Sequence, residues 1–171
     1  LWFQGWDKAP LLCKYAVKSW KLHNPNWNVI LLDSKNLHKY VNTDVLNRNI
    51  SFQAKSDIIR LHLLKHHGGV WADATLFCMQ PLDNWIVSHT KNESFFMHHD
   101  TGGGMVKEHG PCSWFIVSSP DNYIINSWFK LNNDYWNTHE KPHNYFWMDS
   151  LFRHLFETDH DFRNRWNNVK Y

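Results

Sequence analysis

The N-terminal part of the chain alternates between β-prone runs and a helical pattern. Trp2 and Phe3 form a short apolar run, and residues 27–32 (WNVILL) form a second run that is apolar enough for a parallel strand buried on both faces. Between them, apolar residues recur at three- and four-residue intervals from Leu11 to Trp20, which predicts an amphipathic helix. A strand, a helix and a strand in this order predict a right-handed crossover unit, and hence an α/β fold.

The rest of the chain continues this alternation. The strongest helical pattern lies at 56–67. Gly68 and Gly69 follow it directly and allow a left-handed helix end. A glycine run at 102–104 indicates a loop between two later strands. Helices are predicted at about 35–46, 56–67, 122–135 and 147–156, and strands at 70–72, 95–98 and 114–117.

Length, charge and cysteine content narrow the classes of protein. A chain of 171 residues fits one domain, 1–171, which we expect to be truncated at both ends because it opens inside a strand-like run and closes without a stop signal. With 18 Lys and Arg against 16 Asp and Glu, the net charge of +2 gives no reason to expect a nucleic-acid partner. No run of about 18 apolar residues predicts a membrane span. The three dispersed cysteines predict buried, reduced thiols: Cys13, Cys78 and Cys112.

Aromatic residues are unusually frequent, since 11 Trp, 11 Phe and 6 Tyr make up 16% of the chain. Most of them are expected in the core. Proteins that bind sugars also keep some Trp exposed, because a flat apolar ring packs on the apolar face of a pyranose or on a base. The composition therefore favours a carbohydrate function only slightly.

The strongest predicted helix carries two charged residues on its buried side. Asp57 and Arg60 are three positions apart, which makes them neighbours on one helix face. That face continues through Leu61 and Leu64, which are expected to pack inward, so the two charges lie near a buried helix end. A functional pair and a plain intrahelical ion pair both fit this spacing.

A carboxylate follows the next predicted strand. Asp73 comes directly after the strand at 70–72, at the end where open α/β sheets place ligands. Mn²⁺ and Mg²⁺ prefer oxygen ligands and share them with substrate phosphates, so Asp73 and the hydroxyl of Thr75, on the same side of an extended chain, would suffice. Taken alone, Asp-Ala-Thr is a weak motif, because carboxylates often form turns at strand ends.

The continuous segment 56–77 (SDIIRLHLLKHHGGVWADATLF) resembles the glycosyltransferases that carry a DxD sugar-binding region. The resemblance is strongest to the capsular polysaccharide synthesis glycosyltransferases and more distant to the glucosylating domain of the large clostridial toxins. Residues 2–10 (WFQGWDKAP) and 113–136 (SWFIVSSPDNYIINSWFKLNNDYW) also look like capsule-type members. The resemblance implies a single α/β domain with the GT-A fold, a Rossmann-like nucleotide-binding sheet flanked by helices.

The same resemblance implies roles for individual residues. Asp57 would contact the donor sugar or ribose, Arg60 the donor sugar or phosphate, and Trp71 would pack beside the nucleotide. Asp73 would lie among the ribose, the sugar and the metal, and Arg60 and Asp73 would thereby take part in catalysis. Arg60 and a metal ion would stabilise the charge that gathers on the departing diphosphate.

Two further positions match the family pattern less fully. Thr75 takes the place of the last motif carboxylate as a metal ligand, although a hydroxyl carries no charge and binds metal less well. Trp2 matches an aromatic residue that stacks on the base in related enzymes, and a core Trp is an equally good interpretation.

An inverting reaction also needs a base that deprotonates the acceptor hydroxyl. Asp149, at the start of the helix predicted at 147–156, is the first candidate, with capping of that helix as the alternative. Asp100, before the glycine run, is the second. A late metal ligand is expected from His143, from His154 or from outside the chain, and the 13 histidines show no zinc-binding pattern.

The sequence thus predicts a glycosyltransferase that moves a sugar from a nucleoside-diphosphate sugar, with a UDP-sugar favoured, to a glycan or another acceptor hydroxyl. Mn²⁺ or Mg²⁺ would be the cofactor, and capsular or surface polysaccharide synthesis the setting. The alternatives are a catalytically degenerate module that binds sugar or nucleotide, and a nucleotide-sugar phosphohydrolase. We expect a cytoplasmic location, with or without membrane association, or the Golgi lumen if the chain is a fragment of a eukaryotic enzyme.

Overall fold

The fold is known from a computed structural model that describes residues 1–42, 44–100 and 110–170, without the side chains of Val45, Leu46 and Asp100. Within this part the strands are β1 (Gly69–Ala72), β2 (Phe95–Asp100) and β3 (Gly110–Ser118). The α-helices are α1 (Leu11–His23), α2 (Asp44–Asn47), α3 (Phe52–His67), α4 (Ile86–Thr90), α5 (Tyr123–Thr138), α6 (Trp147–Thr158) and α7 (His160–Asn168). Short 3₁₀ turns lie at Trp6–Lys8, Leu37–Lys39 and Leu82–Asn84.

The chain is mixed α/β, but its three-stranded sheet is antiparallel, in the order β1-β3-β2. This differs from the expected Rossmann-like sheet. Only nine residues separate β2 from β3, whereas a parallel connection needs about a dozen or more. Parallel pairing is confined, in the described part of the chain, to a single bridge between Trp2 and Leu32.

The prediction of a strand at 27–32 is correct only at its last residue. Leu32 donates its N–H to the Leu1 carbonyl at 2.8 Å, and the Phe3 N–H donates to the Leu32 carbonyl at 3.0 Å. Asn28 is exposed, so this run is not buried on both faces.

The helix predicted at 35–46 is wrong, since the described residues of this region form the 3₁₀ turn Leu37–Lys39 and the start of α2 instead of one helix. Asparagine side chains compete there for backbone groups. The Asn36 side-chain oxygen accepts the Asp33 N–H at 2.9 Å, and that of Asn42 accepts the Asp44 N–H at 3.1 Å. The short α4 and the polar α7 were not predicted.

Hydrophobic residues fill both faces of the sheet. One face packs Trp71, Phe95 and Ile116 against α3, α5, α6 and α7, and the other packs Phe96 and Phe115 against Trp20 of α1. Most tryptophans are core residues, as expected. The buried ones are Trp2, Trp20, Trp71, Trp128, Trp136, Trp147 and Trp166. None of the described helices is both long and apolar enough to cross a membrane.

The cysteines are free thiols, as predicted, with Cys13 and Cys78 buried and Cys112 partly buried.

Gly68 joins α3 to β1 at a point where the chain must turn sharply. Its φ is +65° with ψ −156°, a backbone conformation that residues with a side chain rarely adopt. A Cβ atom there would lie 2.7 Å from the Pro120 Cδ and 2.9 Å from the Ser118 carbonyl oxygen. Asp57 and Arg60 lie on α3 and Asp73 follows β1, so the turn at Gly68 determines how these candidate site residues are placed relative to each other.

We expect Gly68→Ala to destabilise the protein by more than about 2 kcal/mol, because backbone strain and the clash with Pro120 add up. Calorimetry should show a melting temperature lower by about 5 °C or more. Gly5→Ala is the matched control, since its φ is −178° and a Cβ there meets no atom within 4 Å. Equal melting temperatures for the two variants would contradict this account.

Candidate functional site

Asp57, Arg60 and Asp73 meet where α3 runs alongside the end of β1. The Arg60 Nη2 lies 3.0 Å from the Asp57 Oδ1 and 3.4 Å from the Asp73 Oδ1. The side chains are exposed to 6% for Arg60, 18% for Asp57 and 35% for Asp73, so burial decreases from the arginine outward. Arg60 thus bridges the two carboxylates that the sequence predicted.

Arg60 is fixed from a third direction by β3. Its Nη1 donates to the carbonyl oxygen of Ser113 at 2.6 Å and to the hydroxyl of the same residue at 2.7 Å. Its Nη2 lies 3.4 Å from the Ser56 hydroxyl, and the guanidinium stands 5.2 Å from the ring centre of Trp71. Buried guanidinium groups need partners of this kind, since an uncompensated buried charge is costly.

Trp71 orients Asp73. Its indole N–H donates to the Asp73 Oδ1 at 2.8 Å, the same oxygen that faces Arg60. The Asp73 side chain is 35% exposed and lines the pocket, so a ligand can reach its carboxylate. Trp71 itself is 3% exposed and does not line the pocket that Asp57, Arg60 and Asp73 share, so its observed role is to hold Asp73. That it packs beside a nucleotide stays a prediction.

Thr75 does not continue an extended chain from Asp73. The Leu76 N–H donates to the Asp73 carbonyl at 2.9 Å, which closes a turn over residues 73–76. The expectation that alternation along a strand aligns the two side chains is therefore wrong. Thr75 is nevertheless exposed and lines the same pocket as Asp73, brought there by the turn.

A pocket of about 420 Å³ opens above these residues. Trp2 is a core residue with 6% exposure that also lies in the pocket wall, and stacking of its ring on a base stays a prediction. Aromatic side chains that the sequence did not single out line it too: Phe52, Trp114, Tyr145 and Phe146. Phe52 and Tyr145 are 51% and 73% exposed.

Asp149 reaches the pocket from the first turn of α6. The residue at the helix cap is Phe146, so Asp149 is not the N-cap residue itself. A carboxylate in a first helical turn is also favoured by the helix dipole. The side chain of Asp100 and the glycine run at 102–104 lie outside the described residues.

The oxygen ligands of the pocket suit a hard divalent cation. Asp73 Oδ2 and the Thr75 hydroxyl would hold it, and phosphate oxygens would have to complete the coordination. No group of three His, Cys, Asp or Glu side chains able to hold a metal occurs among residues 1–42, 44–100 and 110–170. Of the two late candidates, His143 lies 3.3 Å from the Tyr135 hydroxyl and His154 is exposed on α6, and neither lines the pocket.

Burial raises the pKa of Asp57 from 3.8 to about 6. The neighbouring Asp73 acts in the same direction, because two carboxylates repel, while Arg60 and the indole of Trp147 oppose the increase. The negative charge of Asp57 at neutral pH therefore lowers the stability of the folded protein.

Sequence reasoning missed Ser113, whose carbonyl and hydroxyl hold Arg60, and Trp114, which lies in the pocket wall. Ser113 opens the segment 113–136, which resembles the capsule-type members, so that segment contained the signal. Ser56 likewise opens the segment 56–77, which carries the main resemblance, and it contacts Arg60 across one helical turn.

Fold and pocket together define a mixed α/β protein with a carboxylate–arginine site at the end of a strand. The chain belongs to the capsular polysaccharide synthesis protein family, whose model matches residues 1–171. This confirms the resemblance to the capsule-type enzymes.

Two curated relatives agree with that membership. O-glycosyltransferase braB of Annulohypoxylon truncatum is 24% identical over 176 residues, which cover 90% of this chain and 40% of the relative. Glucan organizing enzyme 1 of Cryptococcus neoformans var. grubii is 23% identical over 105 residues, which cover 61% of this chain and 28% of the relative. The chain spans less than half the length of either relative. The family and the O-glycosyltransferase relative support glycosyl transfer in general.

The pKa of Asp57 predicts a pH-dependent stability. Between about pH 4 and pH 6 the folded protein holds a proton that the unfolded chain releases, so stability is lost as the pH rises through this window. The shift from 3.8 to about 6 corresponds to about 3 kcal/mol. In metal-free buffer, Asp57→Asn should match the wild type near pH 4 and exceed its stability near pH 7.

Denaturant unfolding at pH 4, 5, 6 and 7 measures this difference. Asp134→Asn removes an exposed carboxylate from α5 and is the control, with a difference that stays constant. A constant difference for Asp57→Asn as well would show that Asp57 does not titrate in this range.

Proposed function

We propose that the protein is a divalent-metal-dependent glycosyltransferase that moves a sugar from a nucleoside-diphosphate sugar, with a UDP-sugar favoured, to an acceptor hydroxyl. The observation that carries the proposal is the buried Arg60 holding Asp57 and Asp73 at 3.0 and 3.4 Å at the base of one pocket. Family membership supports the reaction class, and capsular or surface polysaccharide synthesis is the proposed setting. We also propose that the fold is GT-A, a proposal supported by family membership and by the order of α3, Gly68, β1 and Asp73 along the chain.

Arg60 acts mainly through the groups that it positions. Asp57, Asp73 and Ser113 already contact its Nη atoms. Its positive charge would therefore act on a nearby diphosphate without a direct hydrogen bond, and Arg60 would also orient the two carboxylates. Mn²⁺ or Mg²⁺, when bound, would neutralise charge on the departing diphosphate. Asp73 and Thr75 would hold the ion, and Asp57 would accept hydrogen bonds from the sugar or ribose hydroxyls.

Asp149 is the proposed base for an inverting reaction. It enters the pocket from α6, whereas Asp57 and Arg60 enter from α3. The proposed base and the donor-binding residues therefore lie on different helices of the pocket wall. A base must reach the acceptor hydroxyl, while the metal and Arg60 act on the leaving group. The division of the pocket between α3 and α6 fits these separate tasks.

One observation favours a second candidate, a module that binds sugar or nucleotide without turnover. Thr75 replaces a charged metal ligand, and the described residues supply too few ligands to hold a cation without phosphate. A phosphohydrolase has no comparable support. Hydrolysis of the donor without acceptor, compared between wild type and Asp57→Ala, separates the enzyme from the binding module.

Binding of donor and metal is the direct test. A panel of nucleotide sugars with Mn²⁺ should raise the melting temperature, since a ligand at 100 times its Kd stabilises by about 2.7 kcal/mol, or about 5–10 °C here. Asp73→Ala should abolish the increase, whereas Asp134→Ala should retain it. A panel that leaves the wild-type melting temperature unchanged would overturn the proposal.

Thr75→Asp should strengthen Mn²⁺ binding in the presence of UDP by about tenfold, because ligand charge tunes the affinity of oxygen-ligand sites. The exposed position of Thr75 allows the change without repacking. Calorimetric titration measures the affinity. Asn137→Asp adds the same charge at an exposed position of α5 and should leave the Mn²⁺ affinity unchanged. An equal gain in both variants would indicate a general charge effect.

A further inference from the structure

A second pocket of about 350 Å³ adjoins the first, and the two share Trp114 in their walls. It is lined by Phe96 and Phe115, on the sheet face that packs against Trp20 of α1. Its rim comes from the loop after β1, where Phe77 is 42% and Met79 is 81% exposed. Large apolar side chains grouped at the mouth of a pocket mark a binding surface more often than an ordinary surface.

Trp114 stands between the two pockets with one ring face covered. The imidazole of His98 stacks on it, with ring centres 5.0 Å apart and planes 20° from parallel. Trp114 is nevertheless 38% exposed. Since His98 covers one face, the exposed area belongs to the ring edge and the opposite face, which are the parts available to a ligand.

Two imidazoles give this aromatic pocket polar groups. His89 Nδ1 lies 3.0 Å from the Trp85 carbonyl oxygen, which only accepts, so Nδ1 is the donor in this contact and Nε2 is left for a further hydrogen bond. Burial, with a smaller effect from His89, lowers the pKa of His98, which keeps that ring neutral near pH 7. Both rings line the pocket and offer ring nitrogens to the hydroxyl groups of a ligand.

We infer that this aromatic pocket, formed around Phe77, His89 and Trp114, binds a sugar ring of the acceptor, next to the donor pocket. Resting on the proposed function, the inference adds a substrate class and a place for it. A pyranose has an apolar face that packs on aromatic rings, and its hydroxyl groups can form hydrogen bonds with imidazole nitrogens. The shared Trp114 would place that ring beside the donor.

The size of the pocket and the ring nitrogens of its imidazoles favour a sugar over other occupants. A volume of about 350 Å³ is within the range of small-ligand sites, and a helix or strand of a partner protein needs a longer groove. A purely apolar occupant, such as a lipid chain or a further segment of the protein, would leave Nε2 of His89 without a hydrogen bond.

Saturation-transfer NMR with the protein, UDP and Mn²⁺ tests the inference with a panel of methyl glycosides of cellobiose, maltose, lactose, mannobiose and chitobiose. UDP occupies the donor pocket, so a remaining sugar signal reports the second site. We expect ring C–H protons of at least one disaccharide to be saturated. Phe77→Ala and His89→Ala should each weaken its binding roughly fivefold and retain UDP binding by calorimetry.

Val87→Ala is the matched control, because Val87 is a 73% exposed apolar residue on the neighbouring α4 that does not line the pocket. The absence of any sugar signal while UDP binds would overturn the inference, and so would a signal that UDP displaces or that both variants leave intact. If the wild type does not bind UDP but still gives the sugar signal, the result would contradict the proposed function and not the sugar site.

Discussion

The buried guanidinium of Arg60 is the interaction on which the candidate site depends. An arginine that is 5% exposed must find its partners inside the protein, because water cannot supply them. Asp57 supplies one from its own helix, Asp73 one from the end of β1, and Ser113 two from β3. One side chain therefore ties three elements together, and the positions of both carboxylates follow from its needs.

One cation between two carboxylates leaves one negative charge. Burial and mutual repulsion act together on Asp57, whose pKa rises to about 6 in spite of Arg60. The excess charge lies toward the pocket, because Arg60 is the most buried member of the group and Asp73 the most exposed. A divalent cation bound by Asp73 would relieve that repulsion and give the site a net positive charge, which attracts a diphosphate.

Local patterns carried most of what the sequence predicted correctly. The spacing of Asp57 and Arg60 on one helix, the glycine end of that helix and the strand before Asp73 all depend on neighbours in the chain. Long-range features were not predictable in the same way. The antiparallel order of the sheet depends on which distant strands pair, and the Ser113 contact to Arg60 joins residues 53 positions apart. Within 35–46, asparagine side chains overrode the helical pattern by bonding to the backbone.

The register of β3 explains why both pockets form at the same place. Met97 pairs with Ile116 and the next residue, His98, pairs with Cys112, so residues 113–115 have no partner on β2. A bulge of this kind bends a strand and turns its side chains, and such bulges are common beside active sites. Here it leaves the Ser113 carbonyl available to Arg60 and presents Trp114 to both pockets. The irregular segment that anchors the arginine is therefore also the partition between the two pockets, so a shift of this segment would alter both together.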